Sequence, residues 1–100
     1  MATPLILGDR EPLALPEDAP PLLTVVVDTE EEFDWNAPFS RSSTSVASLA
    51  ELGRFQEICE EHEISPTYVC DWPVITSELG RSTIGSYLER GKCQLGAHLH

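Results

Sequence analysis

A β-branched and aliphatic run, Leu22-Leu23-Thr24-Val25-Val26-Val27, follows Pro20-Pro21 and ends in the acids Asp28-Thr29-Glu30-Glu31-Glu32. So short and continuous an apolar run predicts a strand over 22–28, buried on both faces as strands of parallel sheets are. The pattern then changes period. Val46, Leu49, Leu52, Phe55 and Ile58 or Cys59 recur at helical spacing, with Glu51, Arg54, Glu57, Glu60 and Glu61 opposite them. This predicts an amphipathic helix of about five turns, with N-caps on offer in Ser42-Ser43-Thr44-Ser45. His62 falls at its frayed, solvent-facing end, where an imidazole complements the helix dipole. Ile64-Ser65-Pro66 breaks the helix, and Thr67-Tyr68-Val69-Cys70-Asp71 predicts a second strand over 67–71, stopped by Trp72-Pro73. A second helix is expected from about Ser77, with Leu79, Ile84, Tyr87 and Leu88 on its apolar side and Gly91 as its C-terminal cap. A third strand over 93–98 delivers His98 and His100.

Strand, helix, strand, helix, strand is the parallel crossover pattern, and such crossovers are almost always right-handed. The fold class expected is α/β, a parallel βαβαβ unit forming the first part of a distorted (β/α) barrel. Parallel strands place their carboxyl ends at one rim, where ligands bind in such sheets. Asp28, Glu30, Asp71, His98 and His100 are therefore expected to gather there although the chain spreads them widely. Asp28 and Glu30 project to one side with Thr29 turned away, and His98 and His100 share a face with Leu99 opposite. Asp71 ends the second strand as a loop-capping residue, or as a group that touches the substrate or supports one that does. The irregular segment from Glu31 to Arg41 interleaves Phe33, Trp35 and Phe39 with polar residues, and loops of this kind line sites. Trp35 is its candidate substrate contact, while Phe39 serves equally well as a lid on the core.

Residues 1–21 hold five of the eight prolines, mixed with acids and alanines, and predict an extended N-terminal arm with an edge contact from Leu5-Ile6-Leu7. Residues 22–100 form the domain. Seventeen acidic against six basic residues give a net charge of −11, which argues against nucleic acid and anionic membrane as partners. No segment approaches the length of a membrane span, and Leu5-Ile6-Leu7 is too short for a secretory signal. The three cysteines, Cys59, Cys70 and Cys93, fit no zinc or redox spacing and are expected as buried thiols of a cytoplasmic protein.

Two imidazoles and one carboxylate are the usual protein share of a catalytic zinc site, which leaves one position for water. Zinc lowers the pKa of that water to about 7, and a second carboxylate that does not bind the ion can act as general base. A strand-end Asp-x-Glu facing a His-x-His across a parallel scaffold meets this requirement.

The same residues carry a family likeness. Val25-Val26-Val27-Asp28-Thr29-Glu30 resembles the first motif of the polysaccharide deacetylase domain (NodB homology, carbohydrate esterase family 4), and Leu95-Gly96-Ala97-His98-Leu99-His100 resembles the start of its second motif. Glu63 to Val69 resembles the family's second strand. The likeness spans 22–100, about the first half of such a domain. It implies a zinc-dependent hydrolase that removes acetyl groups from N-acetylated sugars, with Asp28 as general base and Glu30 and His98 as metal ligands; either His100 substitutes for the family's second histidine ligand or that ligand is missing from the chain. Two features depart from the family pattern. Thr29 separates the two acids, and the family's second histidine would fall beyond His100. The resemblance also implies that the rest of the domain follows His100 and that the chain alone is inactive. Hydrolysis of small cyclic or linear amides on the same scaffold, or a non-catalytic acidic α/β interaction module, are the alternatives.

Overall fold

The computed structural model describes residues 8–99. The expected edge contact from Leu5-Ile6-Leu7 and the position of His100 lie outside those residues. Three strands, β1 (Val26–Thr29), β2 (Thr67–Cys70) and β3 (Gln94–Ala97), form one parallel sheet in the order β1-β2-β3. The connections carry the helices α1 (Leu52–Glu61), α2 (Trp72–Thr76) and α3 (Glu78–Glu89), and a 3-10 turn over Ala47–Glu51 leads into α1. The parallel α/β architecture and its strand order agree with the crossover pattern in the sequence.

Right-handed crossovers that step the sheet in one direction put every helix on the same face. The core lies there. Tyr68 and Cys70 of β2 meet Val46, Leu49, Val74, Ile84, Tyr87 and Cys93, with Val27, Leu52 and Phe55 packed at the margin. Tyr68 has no exposed surface. Phe55 and Tyr87 flank its ring at 6.4 and 6.1 Å between centroids. Its hydroxyl donates to Gln56 Oε1 at 2.6 Å, and Gln56 Nε2 donates to Lys92 O at 3.0 Å and Glu60 Oε2 at 3.1 Å. A buried glutamine thus ties α1 to the central strand and to the approach of β3, with its polar atoms paired.

One-sided coverage corrects two expectations for the first strand. It is not buried on both faces: Val26 is 57% exposed and Asp28 is exposed, whereas Thr29 is buried. Nor does it span 22–28. Leu22 and Leu23 are exposed, and pairing begins only where Thr67 N–H donates to Val25 O at 2.9 Å. An apolar run reads alike whether or not a second layer of helices covers it.

The first helix is also not one continuous five-turn α-helix. Its opening turn is 3-10, and the serines before it make no side-chain cap. Glu32 does that work from a distance, accepting from Ser48 N–H at 2.6 Å and from Ser45 Oγ at 3.1 Å. Cys59 is the inward residue and Ile58 the outward one. Trp72-Pro73 does end β2, but by opening α2. Asp71 caps it, and proline is tolerated in the first turn, where its missing N–H is not needed. Ile84 and Tyr87 are buried on α3, while Leu79 and Leu88 lie more exposed at its margin. The three cysteines are free and buried, and burial raises the Cys70 thiol to about 11. No helix among the described residues is long and apolar enough to cross a membrane.

Both long helices end alike. Gly91 (φ 65°) donates to Leu88 O at 2.9 Å and Lys92 to Tyr87 O at 2.9 Å, the paired bonds of a Schellman cap. After α1, Glu63 donates to Glu60 O at 3.1 Å and Ile64 to Cys59 O at 2.8 Å, with Glu63 itself at φ 55°. An L side chain in that region is strained where glycine is not. Glu63→Gly is therefore expected to raise stability by about 1 kcal/mol, read as a higher urea midpoint at unchanged slope.

Arg90 holds Glu60 through two bonds of 2.6 and 3.0 Å, and lies over the Tyr87 ring at 5.7 Å. The Arg90 hydrogen bonds pull the Glu60 carboxyl down to about 2. Because the folded value lies below the ordinary one, the stabilisation is complete above the ordinary carboxylate range and fades as pH falls toward 2. Urea midpoints measured from pH 6 downward should fall less steeply in Glu60→Gln than in the parent chain; parallel curves would deny the pair its role.

Candidate active site at the carboxyl rim of the sheet

Each strand hands one polar residue to the rim just beyond its last ladder pair. The register sets Thr29 opposite Cys70 and Cys70 opposite Ala97, so Glu30, Asp71 and His98 are the next residues out. The ladder continues into them, since Asp71 N–H donates to Thr29 O at 3.1 Å and His98 N–H to Cys70 O at 3.0 Å.

Glu30 and His98, 68 positions apart in sequence, meet there. His98 Nε2 lies 2.9 Å from Glu30 Oε2, with both side chains about three-quarters buried. The contact crosses the width of the sheet, so it needs both edge strands in register with β2.

Asp28 stands two rungs back from Glu30 on the bare face, on the rung of Val69 and Gly96. Gly96 belongs there for steric reasons, because a Cβ at that position would come within 2.9 Å of Val69 Cγ1. Alternation gives Asp28 the same side of β1 as Glu30. It takes no part in the Glu30–His98 contact, and among the described residues no group of three His, Cys, Asp or Glu side chains is placed to hold a metal ion. Of the residues expected at the rim, the structure thus joins Glu30 and His98, places Asp28 nearby and Asp71 between, and leaves His100 undescribed.

A cleft of about 780 Å³ opens beside the pair. Cys70, Asp71, Trp72, Ala97 and His98 form its floor and one wall, and Phe39, Arg41 and Thr44 contribute to the other. Asp71 is 4% exposed and Trp72 77% exposed. Trp35 lies elsewhere. It is 83% exposed, packs on Phe33 at 4.5 Å, and lines a smaller cavity of about 160 Å³ within its own loop. Phe39 lines both cavities and is exposed, so it is not a lid on the core.

Trp72 and Arg41 are the cleft residues that sequence reasoning missed. Trp72 carried a usable signal, its place directly after the end of a parallel strand. Arg41 carried none, because only the return of the 31–44 loop over the rim brings it there. That return depends on Glu32, which receives Ser48 N–H and Ser45 Oγ and donates its own N–H to Ser45 O at 2.8 Å. The Ser48 N–H bond, with help from Ser45, holds the Glu32 carboxyl below its usual range.

An imidazole nitrogen and a carboxylate oxygen are suitable donors for a catalytic zinc. Two ligands on a tetrahedral zinc stand about 3.3 Å apart at ordinary bond lengths, so the pair fits one ion after a shift of a few tenths of an ångström. No family model, no curated protein and no solved structure matches the chain in these comparisons.

Glu32→Ala should release the loop wall of the cleft and leave the sheet intact. Hydrogen exchange is expected to accelerate at 32–48 and to stay unchanged in β2; slowed or equal exchange in the loop would remove Glu32 from this role.

Proposed function

We propose that this chain forms part of a metal-dependent hydrolase that removes acetyl groups from N-acetylated sugars. The observation that carries the reading is the meeting of Glu30 and His98 at 2.9 Å on the carboxyl rim, beside a cleft of substrate size. The resemblance of the Asp28-Thr29-Glu30 and Gly96-Ala97-His98 segments to the deacetylase motifs supports the choice of substrate. Helices on one face only also support a barrel, in which every helix lies outside and the bare face turns inward. Further chain after His100 would complete that barrel, and His100 or a later histidine would complete the ligand set.

In this reading Glu30 and His98 hold a divalent ion, zinc by donor type. When bound, the ion supplies a water of pKa near 7 and a positive charge for the carbonyl oxygen. Asp28, on the same side of β1 as Glu30, accepts the proton of the attacking water. Trp72 and Asp71 bound the side of the cleft where the sugar lies. The products are acetate and a free amine. The absence of a third donor among the described residues favours a second reading, an acidic α/β module in which Glu30 and His98 are simply an ion pair.

Metal analysis separates the two. Glu30→Gln and His98→Gln should lose zinc, whereas Asp28→Asn should keep it and lose roughly 10²–10⁴-fold in rate, measured as acetate release from an N-acetylglucosamine oligomer by the chain extended through the whole domain. Zinc loss in Asp28→Asn with retention in Glu30→Gln would exchange the roles of the acids. A parent chain that takes up no zinc leaves the module reading.

A further inference from the structure

The sheet ends at β3, and that edge is open. Gln94 N–H donates to Pro66 O at 2.8 Å and His98 N–H to Cys70 O at 3.0 Å, so the N–H and C=O groups of Leu95 and Ala97 face outward, away from β2. Beside them, on the helix face, an apolar groove of about 220 Å³ runs between β3, α2 and α3. Leu95 lines it at 51% exposure, and Ile75 and Leu88 also stay in contact with solvent. An unpaired edge with apolar walls is a template for another strand. Gly85 keeps the groove open. It stands inside α3, where glycine is less favourable than alanine, yet a Cβ there would meet nothing within 4 Å. The fold of the single chain makes no use of that space.

The chain carries a segment of matching chemistry. Residues 8–24 are exposed and hold no helix or strand, with Leu13 83% and Leu15 68% exposed. Glu11 precedes the two leucines and Glu17-Asp18 follows them, in a turn closed by Ala19 N–H on Pro16 O at 3.0 Å. As an added strand, this segment would pair Leu13 and Leu15 through their backbone with Leu95 and Ala97, which sets both leucine side chains on the groove face. Pro12, Ala14 and Pro16 then turn their backbone to solvent, where the N–H that proline lacks is not needed. Charge agrees. Arg81 lines the groove and makes no ion pair among the described residues, while Lys92 stands just before β3. Because α3 runs back along the sheet before β3, these cations lie toward opposite ends of the groove. Acids on both sides of the leucine pair meet a cation in either strand direction.

We propose that the β3 edge and its groove bind the N-terminal arm of a second copy of this chain, residues 11–16 lying as a fourth strand, with the two copies exchanging arms. Such a pair makes the contact twice, which offsets the repulsion between two acidic chains. The inference goes beyond the hydrolase reading and uses neither Glu30, His98 nor a metal ion. A strand following His100 in a longer chain would compete for the same edge, so the exchange belongs to the 100-residue chain.

Gel filtration with light scattering, over a range of concentrations of the 100-residue chain, tests this. The parent should show the mass of two chains. Leu13→Asp with Leu15→Asp changes only exposed arm positions, and Gly85→Leu fills the groove. Each should weaken association about tenfold or more and shift the protein toward single chains. Gly85→Leu should also raise the urea midpoint, because leucine is the better helix former, so its lost association is not lost folding; the arm variant decides should Gly85→Leu not fold. A mixture of the two variants regains one arm and one groove and should form mixed pairs. Amide exchange at Leu95 and Ala97 should be slower in the parent than in the arm variant. A parent that stays single at every concentration overturns the proposal even if those amides are protected, since the arm of the same chain would then cover them. A two-chain mass that survives in both variants also overturns it and moves the interface elsewhere. Either result leaves the reading of the Glu30–His98 pair untouched.

Discussion

Tyr68 holds the arrangement together. It sits on the central strand with no exposed surface, and two aromatic rings from opposite crossovers pack against it. Its hydroxyl is satisfied by Gln56, which also reaches the backbone just before β3. In that apolar core a buried hydroxyl without an acceptor would cost about 1–3 kcal/mol, enough to offset much of what burial of the ring gains. The network therefore fixes the position of α1 on the sheet as well as stabilising it. Register follows, because β2 pairs with both β1 and β3, and the rim contacts follow from register.

That dependence runs in one direction from core to chemistry. The Glu30–His98 contact joins residues on the two outer strands, so a one-residue slip on either side of β2 would turn one of them to the other face. The site is built on strand ends, which a packed core holds still. Its other wall is a loop held by Glu32, one carboxylate receiving two hydrogen bonds at an exposed position. A rigid floor with a more weakly held wall is the common division of labour in α/β sites, where a scaffold positions residues and loops choose what enters.

The cleft is mixed in character. Asp71 and Glu31 bring negative charge, Arg41 brings positive charge, and Trp72 and Phe39 offer exposed aromatic surface. Ser40, Ser43 and Thr44 add hydroxyls along the same lining, and such a mixed lining suits a neutral, polyhydroxylated ligand better than a highly charged one. The overall charge of −11 adds a bias against polyanions. This agrees with the sugar reading. Trp35 takes no part in this cleft; it lines the separate cavity within the 31–44 loop.

How much of this was legible in the sequence follows from the range of each interaction. Strand and helix periodicities are local, so the alternation of Val26 to Glu30, the apolar stripe of Val46, Leu49 and Phe55, and the Gly91 cap could be read directly. With the handedness of crossovers, they sufficed to set Glu30 and His98 on one rim. Other features depend on pairs the sequence does not mark. Glu32 caps a turn 16 residues away, Gln56 is buried because Tyr68 and Lys92 meet it, and Asp71 opens a helix where Trp72-Pro73 signalled only a stop. Whether a valine run is covered on one face or two also depends on where the helices land, and here they land on one side. Alternation placed two acids on the same side of β1, but only the tertiary structure decided that Glu30, the one beyond the ladder, reaches the histidine. Asp28 is still within the strand, where its rung is set by hydrogen bonds to β2, whereas Glu30 is past the ladder and can extend across the rim.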